Sequence, residues 1–288
     1  MSLPAGDRPP PFELTWLGGA TGTRLHKRRP GPDDLPWGTL DLDAFGPDVA
    51  AEARHVWTNG IFTEYASAAA FASLTSALLE CGAPIDLTAC AADAAVDELF
   101  HVELSSRLTT ELGGAAPLHF DLANVSPATS PGARPLLRAA ELAVATSCVS
   151  ETLSVPAMAR SRALATAPLV RAVLDRLLAD EGVHAKIGSW FLDWAADRLT
   201  PAERDRLADV AMTSIEVYAP LWLTACDACP PPLGLGGHDE RGRAALRDAV
   251  TTNIARPLAE YDIVLDPERL ARVGCSYRTS THGDSATR

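Results

Sequence analysis

Two short segments of this 288-residue chain repeat one another. Val96-Asp97-Glu98-Leu99-Phe100-His101 and Ala179-Asp180-Glu181-Gly182-Val183-His184 both read Asp-Glu-x-x-His inside largely apolar surroundings. On a helix, residues three apart share a face, so each glutamate and histidine pair can reach one metal ion. Two further glutamates stand alone in apolar runs: Glu64 between Ile61 and Ala68, and Glu151 between Cys148 and Val155. A charge in such a stretch is costly unless it is paired, hydrogen-bonded or bound to a metal. Carboxylate and imidazole donors without a thiolate suit iron or manganese better than a structural zinc.

These residues need elements to carry them, and the chain's punctuation supplies the elements. Proline and glycine recur through residues 1–46, which read as an irregular N-terminal arm. From Pro47 to about residue 81 the pattern is alanine-rich and helical, with Asn59-Gly60 as a kink or a helix start. Gly82-Ala83-Pro84 stops it, and a second helix runs from about Asp86 to Gly113-Gly114. A third spans about 135–164 and a fourth about 168–199. Thr200-Pro201-Ala202-Glu203 opens a fifth, with Thr as cap, Pro in the first turn and Glu at the capping-box position. The fifth is expected to reach about Ala228 and a sixth to cover about 239–256, before a tail of little pattern beyond Pro267. The class is all-α. Its parts are the arm, a bundle over 47–199, and a C-terminal helical extension and tail over 200–288.

The register of the hairpins brings the candidate residues together. Glu64 lies 18 residues before Gly82 and Glu98 lies 14 after Pro84; Glu151 lies 14 before Ala165 and Glu181 lies 13 after Pro168. At about 1.5 Å of rise per residue, each antiparallel pair sets its carboxylates at similar height. The 21-residue irregular stretch 113–133 is then the long crossover between helices two and three. Glutamates on two helices and Glu-x-x-His on two others form the di-metal carboxylate pattern.

On Glu64, Glu98-x-x-His101, Glu151 and Glu181-x-x-His184, in that order, residues 48–199 resemble the ferritin-like di-iron carboxylate superfamily. The resemblance implies a ferritin-like four-helix bundle holding two iron ions, manganese being an alternative. It implies that Glu98 and either Glu151 or Glu181 bridge the metals. It gives Asp97 and Asp180 the role of accepting a hydrogen bond from the far nitrogen of each imidazole across the bundle. The activity it implies is a non-haem oxidase or oxygenase, which uses O2 to hydroxylate or N-oxygenate a small organic substrate, with specialised metabolism as a setting. Electrons would come from a reductase or ferredoxin. Leu177 stands where the arylamine N-oxygenase pattern has a third histidine. A ferroxidase, iron-handling or peroxide-scavenging protein is the alternative, and a tRNA hydroxylase a third.

Helical offsets place Ala68, Phe71, Cys148, Ser154 and Val155 around the glutamates, a small and largely apolar lining for a substrate. Pro156 should disturb the hydrogen-bond ladder next to Glu151. The net charge of −12 disfavours a nucleic-acid or anionic membrane partner, and no unbroken run of about 20 apolar residues suggests a membrane span. With no secretory pattern and six irregularly spaced cysteines, a cytoplasmic protein with reduced thiols is expected, and a homodimer is compatible. Cys226-x-x-Cys229 has no second pair, so it builds no zinc ribbon. Glu80, Glu103, Glu111, Glu141 and the remaining histidines, His26 among them, are read as surface or loop, and Trp190 and Trp194 as core.

Overall fold

The computed structural model describes residues 9–223 and 234–275, with no strand among them and one isolated bridge, between Pro11 and His119. The arm is less irregular than its composition suggests. It contains a ten-residue helix, α1 (Gly19–Arg28), that buries none of its residues.

Helix α2 (Pro47–Glu80) starts on Pro47, whose missing N–H is no loss in a first turn, and runs unbroken through Asn59 and Gly60. The helix does not start there, the other outcome expected of that pair, but twelve residues earlier at Pro47. At its end Gly82, with φ 67°, lets the N–H of Ala83 bond back to the carbonyl of Leu78 and its own N–H to Leu79. Helix α3 (Ile85–Glu111) closes the same way on Gly113 (φ 94°) and Gly114. A largely irregular connection follows. Helices α4 (Pro135–Ala143) and α5 (Thr152–Leu164) are joined into one rod by a π-helical segment, Val144–Glu151. Helix α6 (Pro168–Ala195) completes the set. Helix α2 packs on α3 and α4, and α6 packs on α3 and on the α4–α5 rod, so the four close on one another in a ring.

The rod spanning Pro135–Leu164 is long and apolar enough, by length and composition, to cross a membrane, which corrects the reading that no segment qualifies. Half of that window is buried in the fold, and Glu141 and Glu151 are buried on it, as befits a core helix.

Beyond the ring, α7 (Pro201–Tyr218) begins with the expected capping box: the Thr200 hydroxyl accepts from the Glu203 N–H and the Glu203 carboxylate accepts from the Thr200 N–H. It is interrupted at Ala219, because Pro220 cannot donate to the ladder, and the short α8 (Pro220–Leu223) follows; the expected end near Ala228 lies outside the described residues. Cys226 and Cys229 lie outside the described residues. Helix α9 (Glu240–Ala249) passes through a second π-helical segment, Val250–Ala255, into α10 (Arg256–Ala259). The supposed patternless tail forms α11 (Pro267–Arg272), capped by the Asp266 carboxylate on the N–H groups of Glu268 and Arg269. Helix α7 lies against the first π segment and α9 against α5. One apolar core therefore runs from Phe71 and Leu74 through Val144 and Phe191 to Met212 and Ile254. A second gathers Trp57, Phe100, Leu104 and Val170. Trp194 packs on the first core beside Phe191, but Trp190 is 42% exposed, contrary to its reading as core.

Candidate metal centre

Between the two apolar cores lies a polar layer. Along the helices Glu64 falls between Trp57 and Phe71, Glu98 between Ala94 and Phe100, and Glu181 between Leu177 and Ile187, all buried. The six residues singled out by type and spacing, Glu64, Glu98, His101, Glu151, Glu181 and His184, meet there.

They form two overlapping groups. Glu64, Glu98, His101 and Glu181 each offer a donor atom within 4.8 Å of the others, and so do Glu98, Glu151, Glu181 and His184. Glu98 and Glu181 belong to both groups, Glu64 and His101 to the first alone, and Glu151 and His184 to the second alone. The histidine rings stand 5.9 Å apart. His184 Nδ1 is 2.8 Å from Glu98 Oε1, and His101 Nδ1 is 3.3 Å from Glu181 Oε1 and 3.5 Å from Glu64 Oε2.

Each ring turns its other nitrogen outward to an aspartate on the opposite helix. His101 Nε2 is 3.2 Å from Asp180 Oδ2, and His184 Nε2 is 3.4 Å from Asp97 Oδ2. An Nε2–H donated to a carboxylate leaves Nδ1 as the lone-pair donor aimed at the centre.

The donor set tests whether a metal fits. Both oxygens of Glu98, Oε1 of Glu181 and Nδ1 of both histidines are buried without a hydrogen-bond partner. Native interiors seldom leave such atoms orphaned, and five converging on one point have the chemistry of a cation site. These Glu and His groups could therefore hold a metal ion. Two serines complete the lattice: Ser67 Oγ donates to Glu151 Oε1 at 3.1 Å and Ser154 Oγ to Glu181 Oε2 at 2.8 Å.

The charges of the metal-free site are distributed unevenly. Burial pushes the Glu64 carboxyl up to about 8 and Glu151 well above the usual carboxylate range, where neighbouring Glu181 and Glu98 raise it further. Burial also acts on Glu98, but the neighbouring imidazoles of His101 and His184 hold it down at about 2. Burial opposes the charge on His184, yet Asp97 and Glu98 hold it up at about 9; His101 is raised well above the ordinary imidazole value against the same burial, chiefly by Asp180 and Glu181.

Local structure explains how Glu151 reaches the centre. The distortion of its helix is the π segment that ends on it, upstream of Pro156, and not a break at the proline. Ser147 of that segment docks on α6: its hydroxyl accepts from the Gly188 N–H at 2.6 Å and donates to the His184 carbonyl at 2.5 Å. Gly188 permits the approach. A Cβ there would lie 2.4 Å from Cys148 Sγ and 3.1 Å from both the Cys148 nitrogen and Ser147 Cβ.

The five residues expected around the glutamates are placed as follows. Ala68 is buried, and Phe71 is buried with its ring 5.3 Å from that of His184. Ser154 is committed to Glu181, and Val155 is half-buried. Cys148 lines a cavity of about 50 Å³ with Thr152, Ala185, Ser189, Ile254 and Tyr261.

Two glutamates read as surface are buried. Glu103 takes the ring nitrogen Nε2 of His26 at 2.9 Å, so His26 is not a free surface histidine, and Glu141 accepts from Arg206 and from Ser130. Two arginines near the centre were not picked out. Arg176, one turn before Asp180 on α6, is a visible i, i+4 partner of that aspartate. Arg29 reaches Asp97 from the arm, and no local pattern announces it. Protein-family models, curated proteins and solved structures offer no match to this chain.

Proposed function

We propose that this chain is a non-haem di-iron oxidase or oxygenase on a ferritin-like bundle, which uses O2 to oxidise a small organic substrate. The observation that carries the reading is the pair of overlapping donor groups that share Glu98 and Glu181 and leave their metal-facing atoms unpartnered. In this reading Glu64 and His101 hold one ion, Glu151 and His184 hold the other, and Glu98 and Glu181 lie between them. When bound, two iron ions supply the paired redox chemistry that reduction of O2 requires, with a reductase or ferredoxin as external electron source. The chain's own residues do the rest. Asp97 and Asp180 fix the imidazole tautomers, Ser67 and Ser154 aim the carboxylates, and Phe71 and Phe100 help to keep bulk water away.

A second reading, ferroxidase or peroxide chemistry, is favoured by one observation. The cavity beside Cys148 and Thr152, at about 50 Å³, suits a species the size of water or O2 rather than an organic molecule. Reconstitution with Fe(II) without oxygen, followed by oxygen, separates the two. The oxygenase reading expects iron retained in the protein and oxygen uptake that continues only with a reductant and an organic substrate. Oxygen uptake that scales with added Fe(II) over many equivalents, independent of any organic compound, overturns it in favour of iron handling.

A further inference from the structure

The two aspartates behind the histidines are held in different ways. Asp180 is gripped by Arg176, four residues earlier on the same helix, so its support is built into α6. Asp97 is gripped from outside the bundle. Arg29, 68 residues away and just past the end of α1, donates Nε–H to Asp97 Oδ1 while the other oxygen, Oδ2, faces His184. The same guanidinium places Nη2 2.8 Å from Asp93 Oδ1 and 3.1 Å from the Asp93 carbonyl. The Arg29 and Asp97 side chains are only 12% and 13% exposed. A guanidinium fork spread over two carboxylates and a carbonyl is a specific seat for arginine, which lysine would fill with one point charge.

The arm meets α3 through polar contacts, while Leu35, Leu40, Leu42 and Phe45 further along it pack on the second apolar core and Phe12 meets Phe62 edge-on. His26 meets Glu103, Asp33 meets Arg107 at 2.9 Å, the Gly38 N–H donates to Glu111, and Arg107 stacks on Trp37. Because α1 itself buries no residue, the docking of this stretch stands on Arg29 and His26, between flanking segments that pack on the bundle. An element held so lightly is one whose docking a change at its far end can bias.

From this we infer that Arg29 is a positioning residue and the α1 stretch of the N-terminal arm a latch on the His184 half of the centre. With that stretch docked, Arg29 fixes Asp97, Asp97 fixes the Nε2–H tautomer and ring angle of His184, and Nδ1 is presented to the ion. With the stretch released, Asp97 can rotate away and that half loses its preorganisation, while the His101 half keeps Arg176. By reciprocity, an ion on the His184 side must strengthen docking of the stretch by the factor by which docking strengthens its binding. The inference rests on the metal-site reading above.

The test uses full-length protein and Mn(II) alone, titrated against a chelator. Wild type should show two binding steps. Arg29→Ala should weaken one by roughly 10- to 100-fold, the range for partners of a metal-bound histidine, and leave the other unchanged. Arg29→Lys should recover only part of the loss. In a His184→Ala background the Arg29→Ala change should cost nothing further, a silence that a general loss of stability would not produce. Amide exchange over residues 19–30 should slow by roughly 10-fold on loading the wild type, and not on loading Arg29→Ala. Two unaltered steps in Arg29→Ala, or exchange in the arm indifferent to metal in the wild type, would overturn the latch and leave the centre standing. A wild type that takes up no Mn(II) or Fe(II) would overturn both.

Discussion

His101 and Asp180 sit on different helices and meet across the bundle at 3.2 Å, Nε2 to Oδ2. That one contact orients the ring so that Nδ1 faces three buried carboxylates, those of Glu64, Glu98 and Glu181. His184 and Asp97 repeat it across the same two helices with the roles reversed. The Asp-Glu-x-x-His repeat thus does two things at once: each glutamate serves the shared layer, and each aspartate serves the other repeat's histidine.

Removing the aspartate's charge should therefore weaken the metal without emptying the site. Asp180→Asn and Asp97→Asn are each expected to lower metal affinity by roughly 10- to 100-fold, measured by chelator competition. If either abolished binding as completely as Glu98→Ala, the aspartate would be a ligand and the assignment would be shifted by one residue.

The apoprotein should become less stable as pH rises. Glu64, raised to about 8, and His184, held near 9, both bind protons more tightly folded than unfolded. Groups of that kind stabilise the fold below their unfolded pKa and lose the contribution as pH climbs through the folded value. The melting temperature of metal-free protein should fall between about pH 6 and pH 9, and loading with Mn(II) should remove most of that slope, since metal replaces the protons. Binding should release protons into a weakly buffered solution. An apoprotein whose melting is flat across this range would refute the assignment of protons to the site.

Gly188→Ala probes the seat of the π segment. Its Cβ would press on Cys148 and Ser147 and push the segment off α6, at a cost of about 1–3 kcal/mol. Because Glu151 closes that segment, metal affinity should drop along with stability in denaturant titration. A variant as stable as wild type, with unaltered metal binding, would mean that the approach at Gly188 is not needed.

The capping box gives a control distant from the centre. Thr200→Ala should destabilise by about 1 kcal/mol through the lost cap on Glu203, with no change in metal affinity. A coupled loss of metal would show that the C-terminal helices transmit strain to the centre.

What could be read from the chain alone was whatever is local or periodic. Glu64 and Glu151 stood out because a charge in an apolar helical run needs a reason, and the four main helices were legible from proline starts and glycine stops. Glu103 and Glu141 were misread because their partners, His26 and Arg206, come from segments that only the tertiary fold brings near. The same holds for Arg29. A distortion next to Glu151 was expected from Pro156, and a π segment does end on Glu151; the docking of that segment on α6 through Ser147 is visible only once Gly188 is opposite it. Glycine content hid α1, and α11 rests on an Asp266 cap too short-ranged to stand out in a tail.

The central claim is that six residues build one centre for two ions, and metal stoichiometry tests it most directly. Protein reconstituted with Fe(II) in the absence of oxygen and freed of excess metal should contain about two irons per chain. His101→Ala and His184→Ala should each retain about one or fewer, because the two imidazoles serve different ions. Two irons in both variants, or none in the wild type, would contradict the account.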